Sequence, residues 1–465
     1  MLEKIRQTVE NKKVLVLGLG REGRSSLRMI RKAGGYKELA VADQNPVEVK
    51  ESGEEEIPVI SGTHYMDKEL LDSYDIVFKT PGIVLPEKIE NYKCQFVSQT
   101  GLFISKFRSQ IVGITGTKGK STTSALLYPV LKENGADVVL AGNIGIPVFD
   151  IAEDITVGEV IVLELSCHQL EYITVSPHIA VLLNLYEEHL DHYGTMAAYV
   201  RAKQNIYAWQ EKEDLLFCNM EFLPGHEVEG AGPESAGVPC KGEVISAVLI
   251  PEGESPSGRG DIEVAGNAVR YRGSGLRIPE QGISLIGQHN YFDIAMVYGI
   301  CKEFSLTDEQ FLKGLRSYQT LPHRLQYLGI KDGIRFYDDS ISTIGETTIQ
   351  ALESIKNAGS ILIGGMDRGV DYDQLEEYLA GSSVKHIILM EATGKRIYSE
   401  IEERYPTLFG SGKLCLVDHL KDAVELAGKL GEEGSACILS PAAASYGIFK
   451  NFEERGEVFK KYVFG

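Results

Sequence analysis

The residues best suited to chemistry form a glycine-rich run, Gly113-Ile-Thr-Gly116-Thr117-Lys118-Gly119-Lys120-Ser121-Thr122-Thr123. Glycines there expose successive backbone N–H groups to phosphate oxygens. Lys120 adds a point charge, and the Ser121 or Thr122 hydroxyl can reach a magnesium ion. The spacing is shorter than in the usual phosphate loop, because the glycine ahead of Gly119 is Gly116 and position 114 is Ile. A second run, Gly18-Leu-Gly20-Arg-Glu-Gly23, reads as a turn that lets a pyrophosphate approach a helix N-terminus. Asp43, twenty residues beyond Gly23, is placed to meet a ribose or base. This loop alone fits NAD as well as a UDP-sugar. Glu164 ends an apolar run and suits Mg²⁺ beside a phosphate loop. Asn184 is followed by Glu187-Glu-His189-Leu-Asp191-His192, a cluster of acids and imidazoles. Lys203 reads by default as a surface lysine.

These groups need elements that place them together. Val14–Leu17, Ile111–Thr115, Val160–Leu163 and Ile179–Leu183 are unbroken apolar runs, the pattern of parallel strands buried on both faces. Further strands are expected at 38–42 and 76–78, the latter leading into Thr80-Pro81-Gly82. The stretch 225–282 is rich in Gly, Pro and Ser, with short strands at 246–250 and 268–272, and reads as an antiparallel hairpin insert. A helix follows over about 289–304. Beyond Leu321, strands at 334–337, 360–363, 386–389 and 436–439 alternate with helical segments. The expected class is therefore α/β with three domains. An N-terminal Rossmann-like domain spans 1–100. A central P-loop-like parallel sheet with the antiparallel insert spans 101–320, and a C-terminal Rossmann-like domain spans 321–465.

Composition limits the partners. Against 47 Lys and Arg stand 66 Asp and Glu, a net charge of −19, which repels nucleic acid and anionic membranes. No apolar run approaches a membrane span. The charged opening MLEKIRQTVENKK lacks an apolar signal core. Seven scattered cysteines without metal spacing read as reduced thiols, so a cytoplasmic protein is expected.

The order Gly-Ile-Thr-Gly-Thr-Lys-Gly-Lys-Ser-Thr, Gly142-Asn143-Ile-Gly, Leu163-Glu-Leu-Ser, Asn184…Glu187-Glu-His-Leu-Asp, Gly287-Gln-His-Asn290, Leu321-Pro-His323-Arg324 and Ser440-Pro-Ala-Ala-Ala-Ser445 resembles the Mur ligase family over essentially the whole chain. Leu-Glu-Leu-Ser-x-x-Gln-Leu-Glu and Phe449-Lys-Asn-Phe452-Glu-Glu-Arg-Gly are most like the members that add glutamate to UDP-N-acetylmuramoyl-L-alanine. The resemblance implies an ATP-dependent ligase of peptidoglycan precursor synthesis that uses two Mg²⁺ ions and works as a monomer. It implies ATP contacts from Gly116 to Thr122, with Lys120 on the phosphates, Asn143 near the γ-phosphate, Asn290 near adenine, and Arg324 and Asp339 closing over the nucleotide. One Mg²⁺ would rest on Ser121 or Thr122 and Glu164. A second would rest on His189 and Lys203, the position where the family carries a carbamylated lysine. The UDP-sugar would meet Gly18, Gly20, Gly23, Asp43, Thr80, Pro81, Gly82, Ser166 and Gln169. Glutamate would meet Thr343, Arg368, Ser445 and Phe452, with His323 orienting or stabilising the reacting groups.

The chain departs from the family at several positions. Asp338-Asp-Ser-Ile341-Ser-Thr343-Ile344 stands where the family usually has Asn-Asp-Ser-Lys-x-Thr-Asn. Arg368 replaces a lysine, and Asp293 an asparagine near adenine. The Ser-Ile-Ser-Thr form with Asp367-Arg368-Gly369 is similar to a subgroup that takes L-glutamate, so D-glutamate is the first expectation and L-glutamate the alternative. A folylpolyglutamate synthase would lack the first glycine-loop domain. An NAD-binding oxidoreductase would leave Lys120, Glu164 and His189 without a purpose, and so would a silent nucleotide-binding regulator.

Overall fold

A computed structural model describes the chain except residues 48, 50–56, 143–145, 252, 253, 255–257, 280–282, 284, 286, 287, 319–321 and 356. The chain gathers into two compact units. One is Met1–Ile283 with Gln288–Tyr318, and the other is Gln319–Gly465 with Ser284–Gly287.

The first unit holds two sheets. In the N-terminal one, β1 (Lys13–Leu17) lies between β2 (Glu38–Asp43) and β4 (Ile76–Lys79), with β3 (Val59–Ser61) and β5 (Gln95–Val97) at the edges; all pairs are parallel. The order β3-β2-β1-β4-β5 reverses direction at β1, where a doubly wound sheet opens its ligand crevice. Val14, Val16, Val41 and Phe78 bury on one face, and Leu15, Leu17, Ala40 and Val77 on the other. That two-sided burial is why the strands read as continuous apolar runs.

The second sheet orders nine strands as β14-β13-β12-β11-β10-β9-β6-β8-β7. They are β6 (Ile111–Thr115), β7 (Val138–Gly142), β8 (Val160–Glu164), β9 (Ile179–Leu182), β10 (Leu215–Asn219), β11 (Glu243–Leu249), β12 (Ile262–Ala265), β13 (Ala268–Tyr271) and β14 (Ser274–Arg277). The sequence pattern predicts an antiparallel hairpin strand at 246–250, and the structure corrects this. β11 pairs in parallel with both β10 and β12, and only β12, β13 and β14 run antiparallel. β11 buries alternate residues, Ile245 and Ala247. That alternation resembles a hairpin strand, whereas the long connection from β10 permits a parallel return. The helix expected at 289–304 spans Gln288–Glu303.

The second unit is built on β15 (Gln326–Lys331), β16 (Ile334–Asp338), β17 (Ala358–Gly364), β18 (His386–Met390), β19 (Leu414–Val417) and β20 (Ala436–Leu439), ordered β15-β16-β20-β17-β18-β19. All pairs are parallel except β15 with β16. Ile361, Ile363, Ile387 and Leu389 bury in one core, and Leu362, Ile388 and Met390 in the other, the period-two alternation of a sheet covered on both faces. Among the described residues no helix is long and apolar enough to cross a membrane, and all seven cysteines are free thiols.

Candidate active site

In the first unit the expected site residues gather at the carboxyl ends of β6, β8 and β9. β6 is wholly buried between β8 and β9, so the segment leaving it is fixed at its root. Thr115 donates its hydroxyl to the Leu165 carbonyl at 2.7 Å. Thr117 donates its backbone N–H to the Asn184 carbonyl at 3.0 Å, and its buried hydroxyl lies 2.8 Å from the Tyr199 hydroxyl. Lys118 donates its N–H to Asn184 Oδ1 at 2.8 Å, and Asn184 Nδ2 returns a bond to the Lys118 carbonyl. Asn184 therefore clamps the loop from the neighbouring strand. Gly119 caps the helix Lys120–Glu133 at φ +83, and a Cβ there would sit 2.7 Å from Asp293 Oδ1. The left-handed backbone favours glycine, and a larger residue would also displace the Asp293 carboxylate. The helix starts without a side-chain cap, which leaves its first N–H groups directed out of the loop.

Two lysines converge on that loop. Lys120 Nζ donates to the carbonyls of Gly116 and Thr117, each at 2.8 Å. Lys203 Nζ donates to the same Gly116 carbonyl at 2.8 Å. Lys203 is no surface lysine. It stands on the helix Met196–Ala208, 1% exposed, over the Tyr199 ring. Its place follows from helix geometry, since Tyr199 and Lys203 are one turn apart and share a face. Burial, and then the neighbouring Lys120 charge, lower the Lys203 ammonium from 10.5 to about 7. Burial also lowers Lys120, opposed by Glu164 and Glu188.

Glu164 is buried at the end of β8, in register with Ile114 of β6. Ser121 and Thr122 open the helix beyond the loop. Carboxylate and hydroxyl oxygens are the donor types a hard dication such as Mg²⁺ prefers. His189 is more exposed, adopts φ +57 and lies with Nε2 3.8 Å from Glu188 Oε2. Asn290 is on the helix Gln288–Glu303. Asn143 lies outside the described residues.

At the N-terminal sheet, the glycine loop follows β1 as expected. Gly18 adopts φ +86, and a Cβ on Gly23 would strike the Gly18 carbonyl at 2.0 Å, so these two close the turn. Gly20 is exposed and would place a Cβ with nothing within 4 Å. It is the one glycine of the three whose missing side chain the protein itself does not fill. Asp43 is turned inward to this loop, accepting from Leu19 N–H at 2.7 Å and Asn45 N–H at 2.9 Å. Thr80 donates its hydroxyl to the Leu17 carbonyl, which brings Thr80-Pro81-Gly82 alongside. Ser166 and Gln169 cap the short helix Cys167–Leu170, and Gln169 Nε2 donates to Glu22 Oε1 at 2.7 Å, linking the second sheet to the glycine-loop helix. Sequence reasoning missed Lys79 here. It is buried over the Tyr172 ring, and burial lowers it to about 8.

The second unit gathers its own set at the ends of β16, β17 and β20. His323 adopts φ +62, is buried, and has Nδ1 2.7 Å from Asp338 Oδ2. Burial alone would lower this imidazole, but the hydrogen bond and charge of Asp338 outweigh it and the pKa is raised. A Cβ on Gly456 would lie 2.0 Å from the His323 ring, so the ring is enclosed. Asp339 accepts from Leu325 N–H, Ser342 Oγ and Ser440 Oγ, and burial raises it to about 6. The Arg324 charge works against that rise. Ser445 is buried, Thr343 and Phe452 are half-buried and Arg368 is exposed. Met366 N–H donates to the Ala444 carbonyl, so the segments carrying Arg368 and Ser445 run side by side. Phe452 stands with its ring 6.2 Å from His323. Two residues were not singled out from sequence. Asp338 holds His323, and the buried Arg455 donates to Ser340 and to the Ala443 carbonyl. Their only signal was position in runs already rich in polar residues.

Known proteins match this arrangement. The Mur ligase middle domain matches residues 114–229, the span from β6 past β10. A UDP-N-acetylmuramoylalanine–D-glutamate ligase of Geobacillus kaustophilus is 34% identical, over 97% of this chain and 97% of its own length. The ligase of the same name from Ligilactobacillus salivarius is 32% identical, over 100% and 97%. Among solved structures, MurF ligase from Thermotoga maritima in complex with ADP superposes with a TM-score of 0.55 at 16% identity, covering 98% of this chain and 96% of that one; at that identity the likeness speaks for the fold. With two relatives above 30% identity along nearly its whole length, the chain belongs to the Mur ligase family of ATP-dependent, amide-bond-forming ligases.

Proposed function

We propose that the chain joins the amino group of D-glutamate to the carboxylate of UDP-N-acetylmuramoyl-L-alanine at the expense of ATP, in peptidoglycan precursor synthesis. The relatives' names supply the two substrates. The observation that carries the reading is the convergence of Lys120 and Lys203 on the Gly116 carbonyl, beside buried Glu164. The working species is taken to be a single cytoplasmic chain, with the three sheets as domains spanning 1–100, 101–320 and 321–465.

A carboxylate is a poor electrophile with a poor leaving oxygen. Transfer of the γ-phosphoryl group of ATP onto it gives an acyl phosphate and ADP. The glutamate amine then attacks the acyl carbon, loses its extra protons and expels phosphate, leaving an amide. The loop N–H groups and Lys120 hold the phosphates in place for in-line transfer and neutralise their charge. Magnesium, when bound, would add charge neutralisation, held by Glu164 with Ser121 or Thr122 and, at a second position, by His189 with carbamylated Lys203. An amine with pKa about 7 is half neutral at pH 7, and only the neutral amine adds CO₂.

Gly18, Gly20 and Gly23 with Thr80-Pro81-Gly82 are proposed to hold the UDP group, and Ser166 and Gln169 the sugar side. Asp43 serves that site by fixing the loop. In the second unit, Arg368 would grip a glutamate carboxylate bidentately, with Thr343, Ser445 and Phe452 beside it. His323 would orient the reacting groups and Arg324 would serve the nucleotide, while Asp339, buried and accepting from Leu325, Ser342 and Ser440, would act by fixing the segment that carries Arg324.

Phosphate release tests this directly. ATP turnover that needs both UDP-N-acetylmuramoyl-L-alanine and D-glutamate, and is lost in Lys120→Ala, is expected. Running L-glutamate in parallel tests the alternative raised by Ile341 and Asp367-Arg368-Gly369. Turnover with L-glutamate alone, or with neither enantiomer, refutes the proposal.

A further inference from the structure

We infer that His168, Glu171 and His192 form a binding site for a borderline transition-metal dication of the Zn²⁺ class, adjoining the position proposed for magnesium at His189, whose ring lies 5.0 Å from that of His168. His168 and Glu171 stand one turn apart, on and just after the short helix Cys167–Leu170, so both face the same way. His192 comes from the next short helix, Leu190–Tyr193. One donor atom from each lies within 4.8 Å of the other two. His192 Nε2 and Glu171 Oε2 are 3.1 Å apart. A tetrahedral ion at about 2.0–2.2 Å from each ligand holds its donors roughly 3.3–3.5 Å apart, so this pair already has nearly the spacing an ion requires.

The rings of His168 and His192 are 4.3 Å apart at 62°. All three side chains are half-buried, shielded by protein yet open to an entering ion. A plain Glu171–His192 hydrogen bond explains two of the groups. His168 is held by Tyr193, whose hydroxyl lies 3.4 Å from its Nδ1 and whose ring stacks on it, and it still brings one donor nitrogen within 4.8 Å of the other two groups. Two imidazoles and a carboxylate are a zinc donor set, and three protein ligands leave a fourth position open. Mg²⁺ prefers an all-oxygen shell, so the two kinds of ion sort by donor chemistry. A second group, Cys167, His168 and His189, also meets the distance criterion and shares His168. His189 is turned toward Glu188, which favours the first group. An ion there would clip the helix bearing Gln169 to the helix that follows His189.

The test uses the full chain, stripped with chelator and held in excess Mg²⁺, titrated with Co²⁺. The expected result is one ion per chain with the intense visible bands of four-coordinate cobalt, displaced by Zn²⁺. His192→Gln and Glu171→Gln should each weaken binding roughly ten- to hundredfold, with folding of each metal-free variant checked by circular dichroism. If Glu171→Gln does not fold, His192→Gln and His168→Phe decide. Absence of saturable Co²⁺ uptake, or uptake unchanged in His192→Gln, overturns the site. So does a sulfur charge-transfer band that Cys167→Ser removes, because it places the ion in the other group.

Discussion

Replacing Lys203 by methionine should make the protein more stable at neutral pH while it abolishes ligation. The Lys203 ammonium falls from 10.5 in water to about 7 when buried. At about 1.36 kcal/mol per pH unit, holding it folded costs roughly 4 kcal/mol at pH 7. Methionine keeps most of the volume and the stem but carries no charge. It forfeits the bond to the Gly116 carbonyl, about 1 kcal/mol, and that carbonyl retains Lys120 as a donor. The net gain is roughly 3 kcal/mol at pH 7.

The sign follows from linkage. Between pH 7 and 10.5 the unfolded lysine binds a proton that the folded one does not. Wild-type stability therefore rises with pH across that window, and the advantage of methionine shrinks to about zero near pH 10. Trp209, the sole tryptophan, caps the helix that carries Lys203. Its fluorescence during urea unfolding in CO₂-free buffer reports on the relevant unit. A Lys203→Met protein less stable than wild type at pH 7, or an advantage that does not vary with pH, would refute the burial argument.

Three further outcomes follow from the site geometry. Gly119→Ala forces a Cβ into Asp293 at a left-handed φ and should cost roughly 1–3 kcal/mol, read as a lower urea midpoint of the same fluorescence signal. Asp338→Asn removes the charge that raises His323. The imidazole should then titrate at lower pH by NMR, and the stability it contributes in the protonated state, present below its ordinary 6.5 and lost as pH rises through the raised value, should disappear. Arg368→Ala should raise the KM for glutamate at least about tenfold with little change in the KM for ATP, as expected for loss of a bidentate carboxylate contact; an equal rise in both would count against Arg368 as a glutamate ligand.

β1, β6, β8 and β20 were legible because little but apolar side chains fits a strand covered on both faces; β10, equally interior, was not expected, although Leu216, Phe217 and Cys218 are buried in it. Edge strands were not legible. β3 and β5 have only three residues, and β15 and β19 are half-exposed along their length, so Gln326 and Lys331 or Gln95 carry no periodic signal. The two glycine loops were legible from chemistry alone, since their residue types have few other uses. The second ring of interactions was hidden, because it depends on partners far along the chain. Nothing local marks Lys203 as buried; its partner is a carbonyl 87 positions away. Asp43 was read as a ligand group from its spacing, yet its oxygens are turned to Leu19 and Asn45. Asp338 and Asp339 are adjacent and alike in sequence. One fixes a histidine and the other fixes three loop segments, a division set only by which way each strand-end side chain points.

The pairing of Lys120 with Lys203 carries the functional argument further than either residue alone. Two ammonium groups donating to one carbonyl repel each other, and burial strengthens that repulsion by removing water. Packing for stability would not select it, because a neutral side chain at either position serves the fold better. The arrangement becomes favourable when a polyanion enters between the loop and the lysines, or when one amine becomes an anion. A triphosphate does the first and carbamylation of Lys203 does the second, converting a repulsive neighbour of Lys120 into an attractive one. If both occur, bicarbonate and ATP should each raise the urea midpoint of the wild-type protein and neither effect should be strictly additive with the other, since each relieves the same repulsion. Strict additivity would mean that the two lysines answer to separate ligands, and the shared carbonyl would then be a coincidence of packing.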